Sequence, residues 1–382
     1  SLYSLTFDGT DDHINLGDNL DLGTDNFTIS LWAKFADATH GGAVAYLLAK
    51  NQDSNNRVRL FLATDGKIQV RLDGDGSAVI NKKGDTAVTA LEDTWVHICI
   101  SCYRDGNLQL YVNGSTSTYG FSHDVSGSSS VDLDNTGPWI IGAISVDSNF
   151  FNGKIDEVSI WGAALTDANV LALYNQGSSI NVTTGTSINS THLKGYWRMG
   201  NGTFDDKANG AVHDQHAPGF GTEVVVNGDF TGDASEWDNL VNAAIDNTTG
   251  VATISVPSDG AHSYISQNVT FTNGGTYRID VSLKGNAAAV SQGERVRIRD
   301  DDSGDGGLDH SQTATLLTGE VQNLRFYWVA NSNSDKIRIA RHSDNDAAYE
   351  IEVYNVSVKK LNGFPGLTSN VDVPTAFSSD TP

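Results

Sequence analysis

Tyr3-Ser-Leu-Thr-Phe-Asp-Gly-Thr-Asp-Asp-His-Ile14 and Gly153-Lys-Ile-Asp-Glu-Val-Ser-Ile-Trp161 stand far apart in the chain, and together they decide its fold. Between them lie Asn26-Phe-Thr-Ile-Ser-Leu-Trp-Ala-Lys-Phe35, Trp95-Val-His-Ile-Cys-Ile-Ser-Cys-Tyr103 and Asn107-Leu-Gln-Leu-Tyr-Val-Asn-Gly114. Val96, Ile98, Ile100 and Cys102 line one face while His97, Cys99, Ser101 and Tyr103 line the other, the period of two that a strand imposes. Thr28, Ser30 and Trp32 alternate in the same way with Ile29, Leu31 and Ala33. Asp105-Gly106 and Asn113-Gly114 are hairpin turns by composition. Further on, Thr166 can cap a short helix from Asp167 to Gln176, with Gly177 at C′. Such a lone helix has few possible partners other than the sheet edge. Leu193-Lys-Gly-Tyr-Trp-Arg-Met-Gly200 then reads as a strand returning to the sheet.

At 382 residues the chain is long enough for two separate cores. Charged residues make up only 19%, and Gly, Asn, Ser, Thr and Asp abound, which suits short strands and many turns. The formal net charge of −23 repels nucleic acid and anionic membrane surfaces, so neither is an expected partner. The same charge suits solubility in salt, or acidic loops that hold Ca²⁺. Cys99 and Cys102, the only two cysteines, point to opposite faces of one strand and cannot bridge each other. No apolar run is long enough to span a bilayer, so membrane insertion is not expected. The chain begins Ser-Leu and has one methionine, Met199, as expected after removal of an initiator or processing of a precursor.

In order and spacing, the segments quoted first resemble the laminin-G-like, pentraxin-like branch of the concanavalin A-like lectin/glucanase fold. The resemblance runs through Gly177 and on to His216, giving a first domain at 1–216 with the returning strand at 193–200. After a linker at 217–222 comes Glu223-Val-Val-Val-Asn-Gly-Asp-Phe230, with Trp237 seven residues on. Gly275-Thr-Tyr-Arg-Ile-Asp-Val-Ser282 and Tyr349-Glu-Ile-Glu-Val-Tyr-Asn-Val-Ser-Val358 follow. This second set resembles the galactose-binding-like jelly rolls that serve as carbohydrate-binding modules, over 223–360. The expected fold class is therefore all-β, two antiparallel jelly-roll β-sandwiches in tandem, with 361–382 as an extended C-terminal arm.

Hydrolysis is not expected. Glucanases of this fold place two carboxylates on one strand face by a Glu-x-Asp-x-x-Glu pattern. Only Glu236-Trp-Asp238 begins that pattern, and Val241 stands where the second Glu belongs. Asp156 and Glu157 are adjacent, so on a strand they face opposite ways. No nucleophile elbow or phosphate loop is present.

Ca²⁺ is the one cofactor the chain suggests. Relatives of the first domain hold it with loop carboxylates at the sandwich rim, and the resemblance implies Asp8 and Asp12, with Asp156 joining them if first and last strands pair. Asp8-Gly9 can equally make a tight turn, with Asp156 hydrogen-bonded to backbone amides. In the acidic stretch Asp300 to Asp309, Asp301, Ser303 and Asp305 start an EF-hand spacing, but position twelve is Gln312. That makes Asp301 and Asp305 candidate ligands, or part of a solvated loop. His213 and His216, in a stretch from Asp205 to Phe220 expected as a surface loop or linker, are a lesser metal candidate.

A pyranose is gripped by an aromatic ring on its C–H face and polar groups at its hydroxyls. Trp32, Trp95, Trp161, Trp197 and Trp237 read as core. The candidates for sugar contact are Trp139 and Phe150 in the first domain, and Tyr264, Tyr327 and Trp328 in the second. The mixture of YSLTFDGTDDHINLG, LKGYWRMGNGTFDD and NGDF…W is similar to proteins of marine bacteriophages, whose modules decorate tail fibres or capsids. The resemblance implies a non-catalytic, homo-oligomeric virion surface protein that binds cell-surface glycans and other virion proteins. The alternatives are a purely structural jelly-roll subunit, a secreted bacterial adhesin, and a carbohydrate-binding fragment of a polysaccharide hydrolase.

Overall fold

Ser4–Asp8 and Asn152–Trp161 pair antiparallel, with Leu5 opposite Ile155 and Asp8 opposite Asn152. The computed structural model describes residues 2–184, 188, 190–232, 234–237, 239–258, 261–300, 311–316, 320–330, 335–342, 348–369 and 376–382. The described chain is nearly all-β and its strand pairs are antiparallel. Contacts divide it into two units, Ser1–Gly219 with Asn362–Pro382, and Phe220–Leu361.

The first sheet of unit one runs Phe121–Asp124, Asn107–Val112, Trp95–Cys102, Phe27–Phe35, Asn152–Trp161, Ser4–Asp8, Phe377–Ser378, with Leu193–Trp197 also paired to Asn152–Trp161. The second runs Ala211–Val212, Gly366–Ser369, His13–Gly17, Trp139–Ile141, Ala45–Asn51, Arg57–Leu62, Ile68–Gly74, Ser77–Lys83. Leu5, Phe7, Phe35, Trp139, Ile155 and Trp197 belong to the core these strands share. The ten-residue strand Asn152–Trp161 is long enough to serve two neighbours along one edge, and its register against Phe27–Phe35 shifts between Asp156 and Ser159, where Glu157 has φ +50. Its first half pairs with Ser4–Asp8 and its second with the returning strand, Val158 opposite Trp197.

The helix spans Asp167–Tyr174, with Thr166 as N-cap in a capping box with Asn169. It stops short of Gln176 because Asn175 already turns left-handed at φ +42. Its Val170 and Leu173 pack with Cys99, Tyr111, Trp161 and Tyr196, so it covers a face of the first sheet rather than its edge. For that reason His97, Cys99 and Ser101, the polar side of the alternation, are buried as well. Both cysteines are buried and free.

The C-terminal residues correct the expectation of an extended arm. Gly366–Ser369 inserts between His13–Gly17 and Ala211–Val212, and Phe377–Ser378 adds to Ser4–Asp8. Gly366 is required there, since a Cβ would lie 2.4 Å from Ile14 Cγ2 and 2.6 Å from Leu16 Cδ2. Ala376 and Phe377 are buried, and the Asp380 carboxylate receives Lys34 Nζ at 2.9 Å, Lys154 Nζ at 2.8 Å and Trp95 Nε1 at 3.1 Å. Few apolar residues suffice when charge pairs finish the seam. Unit two therefore interrupts unit one in sequence instead of following it.

Unit two has one sheet ordered Ala243–Asp246, Val251–Val256, Tyr349–Leu361, Thr276–Gly285, Gln322–Val329, to which Phe220–Glu223 adds beside Tyr349–Leu361. Part of the expected linker is thus a strand. The other sheet is Asn239–Val241, Tyr264–Val269, Asp335–Arg341, Arg295–Asp300, Ser311–Thr315. Phe230, Trp237, Tyr277, Val296, Ile298 and Ile339 are among its core.

Candidate functional site

The turn at residues 8–12 crosses from Ser4–Asp8 in one sheet to His13–Gly17 in the other, so it lies at one end of the sandwich. Its geometry is set locally. Asp12 Oδ2 accepts the Asp8 N–H at 2.8 Å, Asp8 Oδ1 accepts the Thr10 N–H at 2.7 Å, and Gly9 takes φ +81. A Cβ on Gly9 would sit 2.9 Å from Asn152 Cβ and 3.4 Å from His40 Cε1, which brings three loops to one rim. Asp37 organises the loop that carries His40, accepting from the Thr39 hydroxyl and from the N–H groups of Thr39 and Gly41. Those bonds, the Thr39 hydroxyl foremost, hold its carboxyl below the usual range. His40 and Asn149 have φ of +47 and +58, conformations that side chains other than glycine seldom adopt. Half-buried Phe150 completes the rim, its ring 6.2 Å from that of His13.

Three carboxylates converge here. One oxygen each from Asp8, Asp11 and Asp12 lies within 4.8 Å of the others, with Asp12 buried and the other two exposed. Oxygens on opposite sides of a Ca²⁺ ion stand roughly 4.6–5.2 Å apart, given Ca–O distances of about 2.3–2.6 Å. The donor set and its spacing therefore fit that hard cation. Asp11 is a candidate that the sequence reading did not single out, although its place beside Asp12 in the same turn was the available signal.

Asp156 is not part of this group. It lies four residues along the strand from Asn152, the partner of Asp8, a separation of roughly 13 Å at the strand rise. It is fully buried, and its carboxylate accepts the Glu157 N–H at 2.8 Å. The pairing of first and last strands was correct, but the register puts Asp156 just past the Leu5–Ile155 pair, at the end of Ser4–Asp8 away from the turn. Glu157 is buried too, bonded to the Tyr196 hydroxyl and, at 3.3 Å, to Arg198. Asp301 and Asp305 lie outside the described residues.

The stretch around His213 is no surface loop. His213 and Asp214 are fully buried, and Asp214 accepts the N–H groups of Tyr196, His216 and Phe364 at 2.9, 2.9 and 3.2 Å. Small residues and turns in sequence concealed a segment that carboxylates bind to the sheet.

The aromatic candidates separate by exposure. Trp139 is fully buried, its Nε1 donating to the Leu20 carbonyl at 3.3 Å, because its strand is central in the second sheet. It is core, not a sugar platform. Trp139→Ala is expected to cost about 3–5 kcal/mol in a urea titration, the range for deleting a buried aromatic; an unchanged midpoint would restore the exposed reading. Trp328 is likewise 3% exposed and packs on Phe271. Its neighbour Tyr327 faces the other way and is half-buried. Tyr264 is half-buried, with the Arg338 guanidinium 4.0 Å from its ring centroid.

Residues 8–171 match the Laminin_G_3 family model, described as Concanavalin A-like lectin/glucanases superfamily, and the match takes in the carboxylate turn and Phe150. Comparison with curated proteins returned no match. Among solved structures, the chain is similar to the native heptameric SAP-like pentraxin from Limulus polyphemus, at 19% identity over 45% of this chain and 81% of that one, TM-score 0.36. It is also similar to domain 4 of an extracellular arabinanase from Geobacillus stearothermophilus, solved with arabinotriose, at 21% identity over 45% and 76%, TM-score 0.34. A third is the tailspike protein 2 of Escherichia coli O157:H7 bacteriophage CAB120, at 14% identity over 51% and 26%, TM-score 0.36. Among the described residues no helix is long and apolar enough to cross a membrane.

Proposed function

We propose that this chain is a non-catalytic glycan-binding protein of a virion surface, a tail-fibre or capsid-decoration component that attaches to cell-surface glycans. The observation that carries the reading is the rim of unit one. Three carboxylates, the ring of Phe150 and two loops in rarely adopted backbone conformations meet at one end of a sandwich of the lectin/glucanase type. Asp8, Asp11 and Asp12 would hold Ca²⁺, which when bound supplies a hard charge for saccharide hydroxyls. Phe150 would take the C–H face of a ring, and Asn149 and Asn152 could donate to hydroxyls. Such a site is small and weak alone. Display in a homo-oligomer on a particle with many copies would raise the apparent affinity without any new contact.

The same rim would serve a carbohydrate-binding segment of a polysaccharide hydrolase equally well. A structural-subunit reading would set the C-terminal arm and the sheet edges against neighbours; residues of that arm pair within unit one instead. The test is a screen of the purified chain and of Asp12→Asn against a glycan array and whole bacteria, in Ca²⁺ and in EDTA. Binding that needs Ca²⁺ and falls at least tenfold in Asp12→Asn is the expected result. Binding indifferent to EDTA would remove the metal from the site. No binding by multimerised protein under either condition would sink the reading.

A further inference from the structure

Arg295-Val-Arg-Ile-Arg299 and Lys336-Ile-Arg-Ile339 share one alternation, basic against β-branched apolar. The strands they form, Arg295–Asp300 and Asp335–Arg341, are neighbours in the second sheet of unit two. Val296, Ile298, Ile337 and Ile339 fill the core, so Arg295, Arg297, Arg299 and Arg338 stand on the opposite face. Concentrating guanidinium groups on one face of a chain with a net charge of −23 runs against its overall composition.

The face is also shaped. A cleft of about 160 Å³ is lined by Tyr264, Arg297, Arg299, Arg341, His262 and His342. Among the described residues, the Arg297 Nε–H is buried without an acceptor, and Arg297 lines the cleft. A buried donor left without an acceptor is a standing cost, removed when a ligand oxygen fills the place. Arg338 sits over the Tyr264 ring at 4.0 Å and holds it at the cleft.

We infer that this cleft is a binding site for an acidic saccharide, recognised through the carboxylate of a uronate or through a sulfate ester. Planar guanidinium forks match either group with paired N–H···O bonds, which neutral sugars cannot supply. The aromatic ring beside them suits the C–H face of a sugar. A nucleic acid needs a long track of phosphate contacts, and a cleft of this size, on so acidic a chain, offers room for about one ring. The inference rests on the glycan-binding reading above but places a second, chemically distinct site in unit two.

The test uses the full chain, titrated by calorimetry with alginate oligosaccharides, dextran sulfate and neutral dextran, with a DNA duplex as competitor. The expected result is binding of at least one acidic glycan, weakened at least tenfold by Arg297→Ala and by Tyr264→Ala. Arg297→Lys, which keeps the charge and loses the fork, should recover only part of that loss. Circular dichroism shows whether each variant folds. Neutral glycans binding as well as acidic ones, full affinity in Arg297→Ala, or displacement by the duplex at lower concentration would each overturn the inference alone. Failure of every glycan, acidic or neutral, here and on the array, would overturn the broader reading with it.

Discussion

A chain ended at Leu361 should lose most of the stability of its first unit. Gly366–Ser369 is an interior strand, so its removal leaves His13–Gly17 with an unpaired edge and strips the cover from Ile14 and Leu16. The Trp197 indole, fully buried, loses the Phe364 carbonyl that accepts its N–H at 2.7 Å. An unsatisfied buried donor costs about 1–3 kcal/mol. Loss of buried Phe377 costs about 3–5 kcal/mol more, by analogy with truncating a core phenylalanine. Lys34, Lys154 and the Trp95 indole lose Asp380, the acceptor they share. Together these reach the total of roughly 5–15 kcal/mol by which a domain is stable at all. Trp32, Trp95, Trp139, Trp161 and Trp197 belong to unit one, so indole fluorescence in urea reports mainly on it. The truncated chain should unfold at far lower urea than the complete one. Coincident curves would mean that the C-terminal residues matter only to neighbouring subunits.

That segment also shows where sequence reading stops. Strand periodicity, hairpin turns and the Thr166 cap are local signals, and local chemistry decides them. The pairing of Ser4–Asp8 with Asn152–Trp161 came from a resemblance in segment order, and the register that removed Asp156 from the rim could not. In residues 362–382 nothing local marks a strand partner, because Gly366 is needed for contact with Ile14, more than 300 residues away in sequence. Trp139 was misplaced for a similar reason. Trp139 follows Gly137-Pro138, a turn signal that suggests exposure, yet the neighbours of its strand decide burial. The arginine alternation of unit two was legible all along. A net charge summed over the chain hid it, since a sum discards the face on which the charges sit.

Acidification should destabilise unit one through His97. The ring lies between the first sheet and its covering helix, 1% exposed, against Trp32 at 5.2 Å and Tyr174 at 6.1 Å. Its Nε2 meets the Ser30 hydroxyl at 2.8 Å, and its buried Nδ1 has no hydrogen-bond partner among the described residues. Burial penalises the charged imidazolium and pushes the pKa down from 6.5 to about 3. An unfolded chain therefore takes up this proton near pH 6.5, and the folded one only near pH 3. Between those values the unfolded state binds the additional proton, so the stabilising contribution is complete above 6.5 and is lost as pH falls. The slope is at most about 1.4 kcal/mol per pH unit, or about 2 kcal/mol by pH 5 and about 5 kcal/mol by pH 3. His97→Gln keeps a donor for Ser30 and cannot titrate. Its stability at neutral pH will differ from that of the parent, so the informative quantity is the difference between the two urea profiles as pH falls. The parent should lose about 2 kcal/mol more than His97→Gln between pH 6.5 and 5, with the carboxylates common to both cancelling. Parallel profiles would mean that the folded protein admits the proton, as it would if the helix at Asp167–Tyr174 opened readily over the sheet.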